Sequence, residues 1–159
     1  MSNHIIGASV MEQDLYDHVT SHAESERETL RAYEQLASTT KSKTFAYLAR
    51  LILADERRHH QMLDDLATTI RTDAELSGDP GPIPLLDLRE DRQEILAATE
   101  RLLAIEQQDN KELKALAKEL KDLKDTTAWA LIIEIMQADN AKHLRILNFI
   151  KDHTRHPAY

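Results

Sequence analysis

Glu56 and His59 stand three residues apart in the run ADERRH, Ala54 to His59. On a helix that spacing puts a carboxylate and an imidazole on one face, one turn apart, which is a two-point grip on a metal ion. The run has a counterpart, ADNAKH, Ala138 to His143, in which Asn140 stands where the glutamate was. Two single carboxylates also match: Glu26 lies ten residues before the pair Leu36 and Ala37, and Glu106 ten before Leu116 and Ala117. The chain thus reads as two related halves, with offsets of 80 and 84 residues between corresponding sites.

These groups interrupt apolar stripes. Glu26 fills the gap between Ala23 and Leu30, and Glu56 with His59 the gap between Ile52 and Leu63. Glu106 and Asp109 lie between Leu102 and Leu113. Asn140 and His143, with Asp139 beside them, lie between Met136 and Leu147. A buried carboxylate costs roughly several kcal/mol unless it is paired or holds a cation. No Lys or Arg occupies the inward positions of these gaps, whereas two divalent cations would balance four carboxylates with both histidines neutral. Glu, Asp and His are oxygen and nitrogen donors suited to iron, manganese or zinc. Two plainer readings compete: a buried hydrogen-bonded layer, or helices rotated so that these groups meet solvent. Glu24, Glu28, His22 and His60 lie near the site and read as surface groups, with His22, one turn before Glu26, open to service as an extra ligand.

The elements that must position these residues are helices. Read by apolar period, they span about 9–37, 43–76, 88–121 and 126–153, with a crossover at about 77–87. Ser9 with Glu12 has capping-box spacing, and Asp87 with Glu90 repeats it before the third segment. Gly78 marks the end of the second helix, Asp125 the start of the fourth, and Pro157 lies past its end. The stripe residues include Phe45, Ile52, Leu102, Leu116, Trp129 and Met136. Short links near 38–42 and 121–125 make neighbouring helices antiparallel, and two hairpins joined by a long crossover form an antiparallel four-helix bundle. All four polar gaps fall near helix middles, so in such a bundle they meet at one level. The expectation is an all-α fold and a single domain over residues 1–159.

At these residues the chain resembles the ferritin-like superfamily, especially rubrerythrin-type domains and bacterioferritins. In that family, helices 1 and 3 each give a Glu, and helices 2 and 4 each give Glu-x-x-His. The resemblance implies a carboxylate-bridged di-iron or di-manganese site with Glu26, Glu56, His59, Glu106 and His143 as ligands. Asp139 is the candidate for the charge that Asn140 lacks, and Tyr33 looks like the helix 1 tyrosine found near such sites. One or two ions per chain are expected. Bacterioferritins bind haem through a Met just after the helix 2 Glu; here that residue is Arg57, so haem is not expected.

Three functions are open on this reading. One is a redox enzyme acting on oxygen or peroxide, with a separate electron donor because the chain has no Cys. The second is iron oxidation and storage as a cage subunit, and the third a helical scaffold or stress protein with a degraded site. A homo-oligomer is expected. A net charge of −8 and a pI near 5.4 disfavour nucleic acid and anionic membrane as partners. No apolar stretch approaches a membrane span, and the N-terminus is a poor signal peptide, so a cytoplasmic location is expected.

Overall fold

The computed structural model describes residues 4–76, 78, 81–124 and 126–155. It contains four α-helices: α1 Val10–Thr39, α2 Lys43–Ala74, α3 Arg92–Glu119 and α4 Trp129–Arg155. A short 3-10 turn, Lys121–Leu123, follows α3, and no strand occurs among the described residues. This all-helical content is compatible with a four-helix bundle. The chain divides into two compact units, Met1–Leu85 and Leu86–Tyr159, each a helical hairpin.

In the first hairpin the Ser9 capping box forms as its spacing predicts. The Ser9 amide donates to Glu12 Oε2 at 2.7 Å, and the Glu12 amide donates to Ser9 Oγ at 3.3 Å. Thr40 to Ser42 link the helices, and Ser42 Oγ accepts from the Phe45 amide to cap α2. Contacts run in opposite order along the two helices. Gly7 lies at Ala74, Tyr16 shares a cluster with Ala67, and Glu34 meets Arg57 at 2.6 Å. Ile5, Tyr16, Val19, Ala67 and Ala74 form the core, with Leu63, Leu66 and Ile70 packed against it. Towards the loop the seam is lined by Ala23, Ala37, Ala46, Ala49 and Leu53. Small side chains of this kind let two helix backbones approach closely. Gly7 is required where it stands: its φ is +92°, and a Cβ would come within 2.8 Å of the Ala74 carbonyl oxygen. The chain after α2 folds back on that helix. Ile83 donates its amide to Thr69 Oγ1 at 3.1 Å, and Gly81 lies so close that a Cβ would sit 2.6 Å from Thr69 Cα.

The second hairpin is held by Leu103 and Leu113 together with buried Thr99, Asn140 and Thr154. Both threonines satisfy themselves within their own helix, Thr99 at Ile95 O and Thr154 at Ile150 O. At the end remote from the turn, Arg92 donates to the Arg155 carbonyl and Arg155 pairs with Glu100.

Several boundaries differ from the sequence expectation. α2 ends at Ala74 rather than 76, and Leu76 as well as Gly78 takes a positive φ. α3 begins at Arg92, not 88, because Asp87 is engaged by the amide and guanidinium of Arg89 and holds a turn instead of capping a helix. α4 begins at Trp129, not 126, because the Thr126 and Thr127 amides bond back to the Leu123 carbonyl. Asp125 and Pro157, named above as helix limits, lie outside the described residues, as do 77, 79 and 80 of the crossover. The stripe residues Phe45, Ile52, Leu102, Leu116 and Met136 are 41–48 % exposed. A two-helix seam covers only a narrow strip of each helix, and small residues such as Ala23, Ala46 and Ala49 occupy it in the first hairpin.

Candidate metal centre

In the first hairpin, Ala23 and Leu53 are buried at the seam. Glu26 and Glu56 each follow one of them by three residues and therefore share its face. The result brings one donor atom each from Glu26, Glu56 and His59 within 4.8 Å of one another. Glu56 Oε2 lies 3.9 Å from His59 Nδ1. Donors bound to one ion at about 2.0–2.2 Å are themselves roughly 3–3.5 Å apart, so small rotamer changes would close this triad on a cation.

Burial is graded across the group. The Glu26 side chain is 15 % exposed, Glu56 26 % and His59 50 %. Glu26 Oε2 is fully covered and has no protein hydrogen-bond partner. An unsatisfied, covered carboxylate oxygen is costly, and a cation is one way to satisfy it. The neighbouring arginines do not serve: Arg57 pairs with Glu34 and Arg58 with Asp55. His22 is exposed, as its reading as a surface group has it, and its Nε2 lies 3.5 Å from Glu26 Oε1, one turn away, where it can serve as the extra ligand left open by its spacing. His60, also read as a surface group, is partly buried and points to Asp64 at 3.5 Å. Tyr33 is partly buried two turns beyond Glu26 and is not in the triad.

The second hairpin assembles its matching residues differently. Glu106 and His143 meet, with His143 Nδ1 3.3 Å from both carboxylate oxygens. Asn140 is the residue turned inward, 4 % exposed, and its amide donates to Glu106 Oε2 at 2.6 Å and to the Glu106 carbonyl at 3.0 Å. Asp139 instead pairs with Lys142 at 2.5 Å, on a side chain 46 % exposed. A recess of about 280 Å³ is lined by Glu106, Asp109, Leu113, Met136, Asp139, Asn140 and His143. Among the described residues, Glu26, Glu56 and His59 are the only group of three such donors close enough to hold an ion.

The repeat contained the signal that separates Asp139 from Asn140. Asp55–Arg58 and Asp139–Lys142 are corresponding pairs in ADERRH and ADNAKH, and both form an i, i+3 ion pair. Asp139 is thus the counterpart of Asp55, not of Glu56. Comparison with family models, with curated proteins and with solved structures gave no match for this chain.

Proposed function

We propose that this chain is a ferritin-like four-helix protein that binds iron or manganese through Glu26, Glu56 and His59 and acts as a non-haem oxidoreductase towards oxygen or peroxide. The observation that carries the metal site is the convergence of those three donors within 4.8 Å, with Glu26 Oε2 covered and unpartnered. The donor set fits such an ion: two carboxylates offset its charge, and a neutral imidazole adds a nitrogen ligand without further charge. Zinc would fit the same donors.

The bound metal would supply one-electron chemistry and open coordination positions for a small oxidant. Glu26, the most covered ligand, would anchor the ion and hold most of the charge balance. Glu56 and His59, one turn apart on α2, would fix its position along the seam. His59, half exposed, leaves that side accessible to a small molecule. Reducing peroxide to two waters consumes two electrons and two protons, and a chain without Cys would draw those electrons from a separate donor.

A second reading, a helical scaffold with a reduced metal site, is favoured by one observation: Asn140 stands at the position of the second glutamate. Anaerobic calorimetry with ferrous iron on protein purified without chelator or metal-affinity resin distinguishes the two. Binding is expected in the natural chain and in Glu24→Ala, and its loss in Glu56→Ala and in His59→Ala. An iron-loaded sample is then expected to consume peroxide faster than matched free iron. No uptake in the natural chain, or equal effects of all three substitutions, would overturn the metal site. Uptake with only background peroxide consumption would leave the scaffold reading.

A further inference from the structure

We infer that Asn140 takes the place of a metal ion in the second hairpin, clasping α4 to α3 through Glu106, so that Glu106 and His143 form a metal-free joint. The inference concerns the hairpin that the triad does not use and stands independently of it.

A metal ion at this place would link the helices by accepting lone pairs from both. The Asn140 amide performs the same linkage with hydrogens. Its nitrogen sits on α4 and meets two acceptors of one α3 residue, the Glu106 carboxylate at 2.6 Å and the Glu106 backbone carbonyl at 3.0 Å. With acceptors at both contacts, the amide has one workable orientation. Turned over, its oxygen would face two other oxygens. An amide N–H is not a metal ligand, and while it holds Glu106 Oε2 it occupies the lone pair an ion would need. Asn140 Oδ1, the atom that can ligate, is covered and has no hydrogen-bond partner.

Two other groups of this hairpin are committed as well. His143 Nδ1 lies at equal distance from both Glu106 oxygens, and Asp139 is paired with Lys142. The contrast with the first hairpin is direct: Glu106 Oε2 has a donor at 2.6 Å, whereas Glu26 Oε2 is covered and has none. At 4 % exposure Asn140 is also more covered than any ligand of the triad, as suits a joint rather than a site that must exchange an ion with solvent.

The test is a cobalt(II) titration of the full chain followed by visible absorption, with thermal unfolding of the same samples in chelator. The natural chain is expected to saturate at one equivalent. Asn140→Ala should keep that stoichiometry and spectrum while its Tm in chelator falls by roughly 5 °C. Asn140→Asp removes both N–H donors and sets a carboxylate against Glu106. Its Tm in chelator should fall, and cobalt should restore it while a second equivalent binds. Saturation of the natural chain at two equivalents, or loss of bound cobalt in Asn140→Ala, would overturn the clasp. So would an unchanged Tm in Asn140→Ala. Should Asn140→Ala not fold, its lost cobalt carries no weight: two equivalents on the natural chain would still overturn the clasp, and a second equivalent gained by Asn140→Asp would still support it. Absence of all cobalt binding, with Asn140→Ala still destabilised, would overturn the metal triad and support the clasp.

Discussion

His22 is exposed, and its imidazole lies 3.5 Å from Glu26 Oε1, close to the separation of two donors on one ion. An ion held by the triad would draw it in as a further nitrogen donor. His22→Ala is therefore expected to weaken ferrous iron binding about tenfold, in the range by which outer groups tune metal sites, without changing stoichiometry. His60→Ala should leave affinity unchanged, because His60 faces Asp64. Calorimetry on the two variants checks this, and equal affinities would place His22 among ordinary surface residues. At this scale the candidate triad was legible: Glu26, Glu56 and His59 each interrupt an apolar stripe, and that interruption is a property of sequence alone. The choice between Asp139 and Asn140 was legible only from the repeat, which pairs Asn140 with Glu56 and Asp139 with Asp55, and not from the apolar stripe. The two are successive residues about 100° apart on the helix, and which of them turns inward depends on a rotation set by packing.

At the scale of elements, the four helices were readable because a 3.6-residue apolar period runs through each of them. Their entries were less so, since capping spacing states only that a cap is available. Ser9 with Glu12 forms one; Asp87 with Glu90 does not, because Arg89 reaches Asp87 first. The hydrogen bonds from the Arg89 guanidinium, followed by that from its backbone amide, lower the Asp87 pKa from 3.8 to about 2. A depressed carboxyl contributes its stabilisation above the ordinary value and loses it as pH falls through the depressed one. The turn before α3 should thus stay intact at pH 4 and loosen between pH 4 and 2. Arg89→Ala is expected to move the Asp87 midpoint upward, towards 3.8. Carboxyl chemical shifts followed through an acid titration read it directly, and an ordinary midpoint in the unaltered chain would refute the turn.

At the scale of the molecule, 28 acidic residues face 20 Lys and Arg, so a divalent cation held at the proposed site would offset part of a standing negative charge. Among the described residues no helix is long and apolar enough to cross a membrane. A ligand that binds only the folded chain stabilises it by mass action, by about 2.7 kcal/mol at a hundredfold excess over Kd. For a chain of this length that corresponds to a Tm rise of roughly 5–10 °C. Manganese should produce it and chelator should reverse it, and an unshifted transition would argue against a folded-state metal site. The docking of Ile83 on Thr69 has a consequence for synthesis. It closes the first hairpin by residue 85, and the contacts described within that hairpin join segments already translated by then. Because domains tend to fold as units from the N-terminus as they leave the ribosome, this one can form while α4 is still being made. Glu26, Glu56 and His59 would then be assembled on the nascent chain, ready to capture an ion before translation ends.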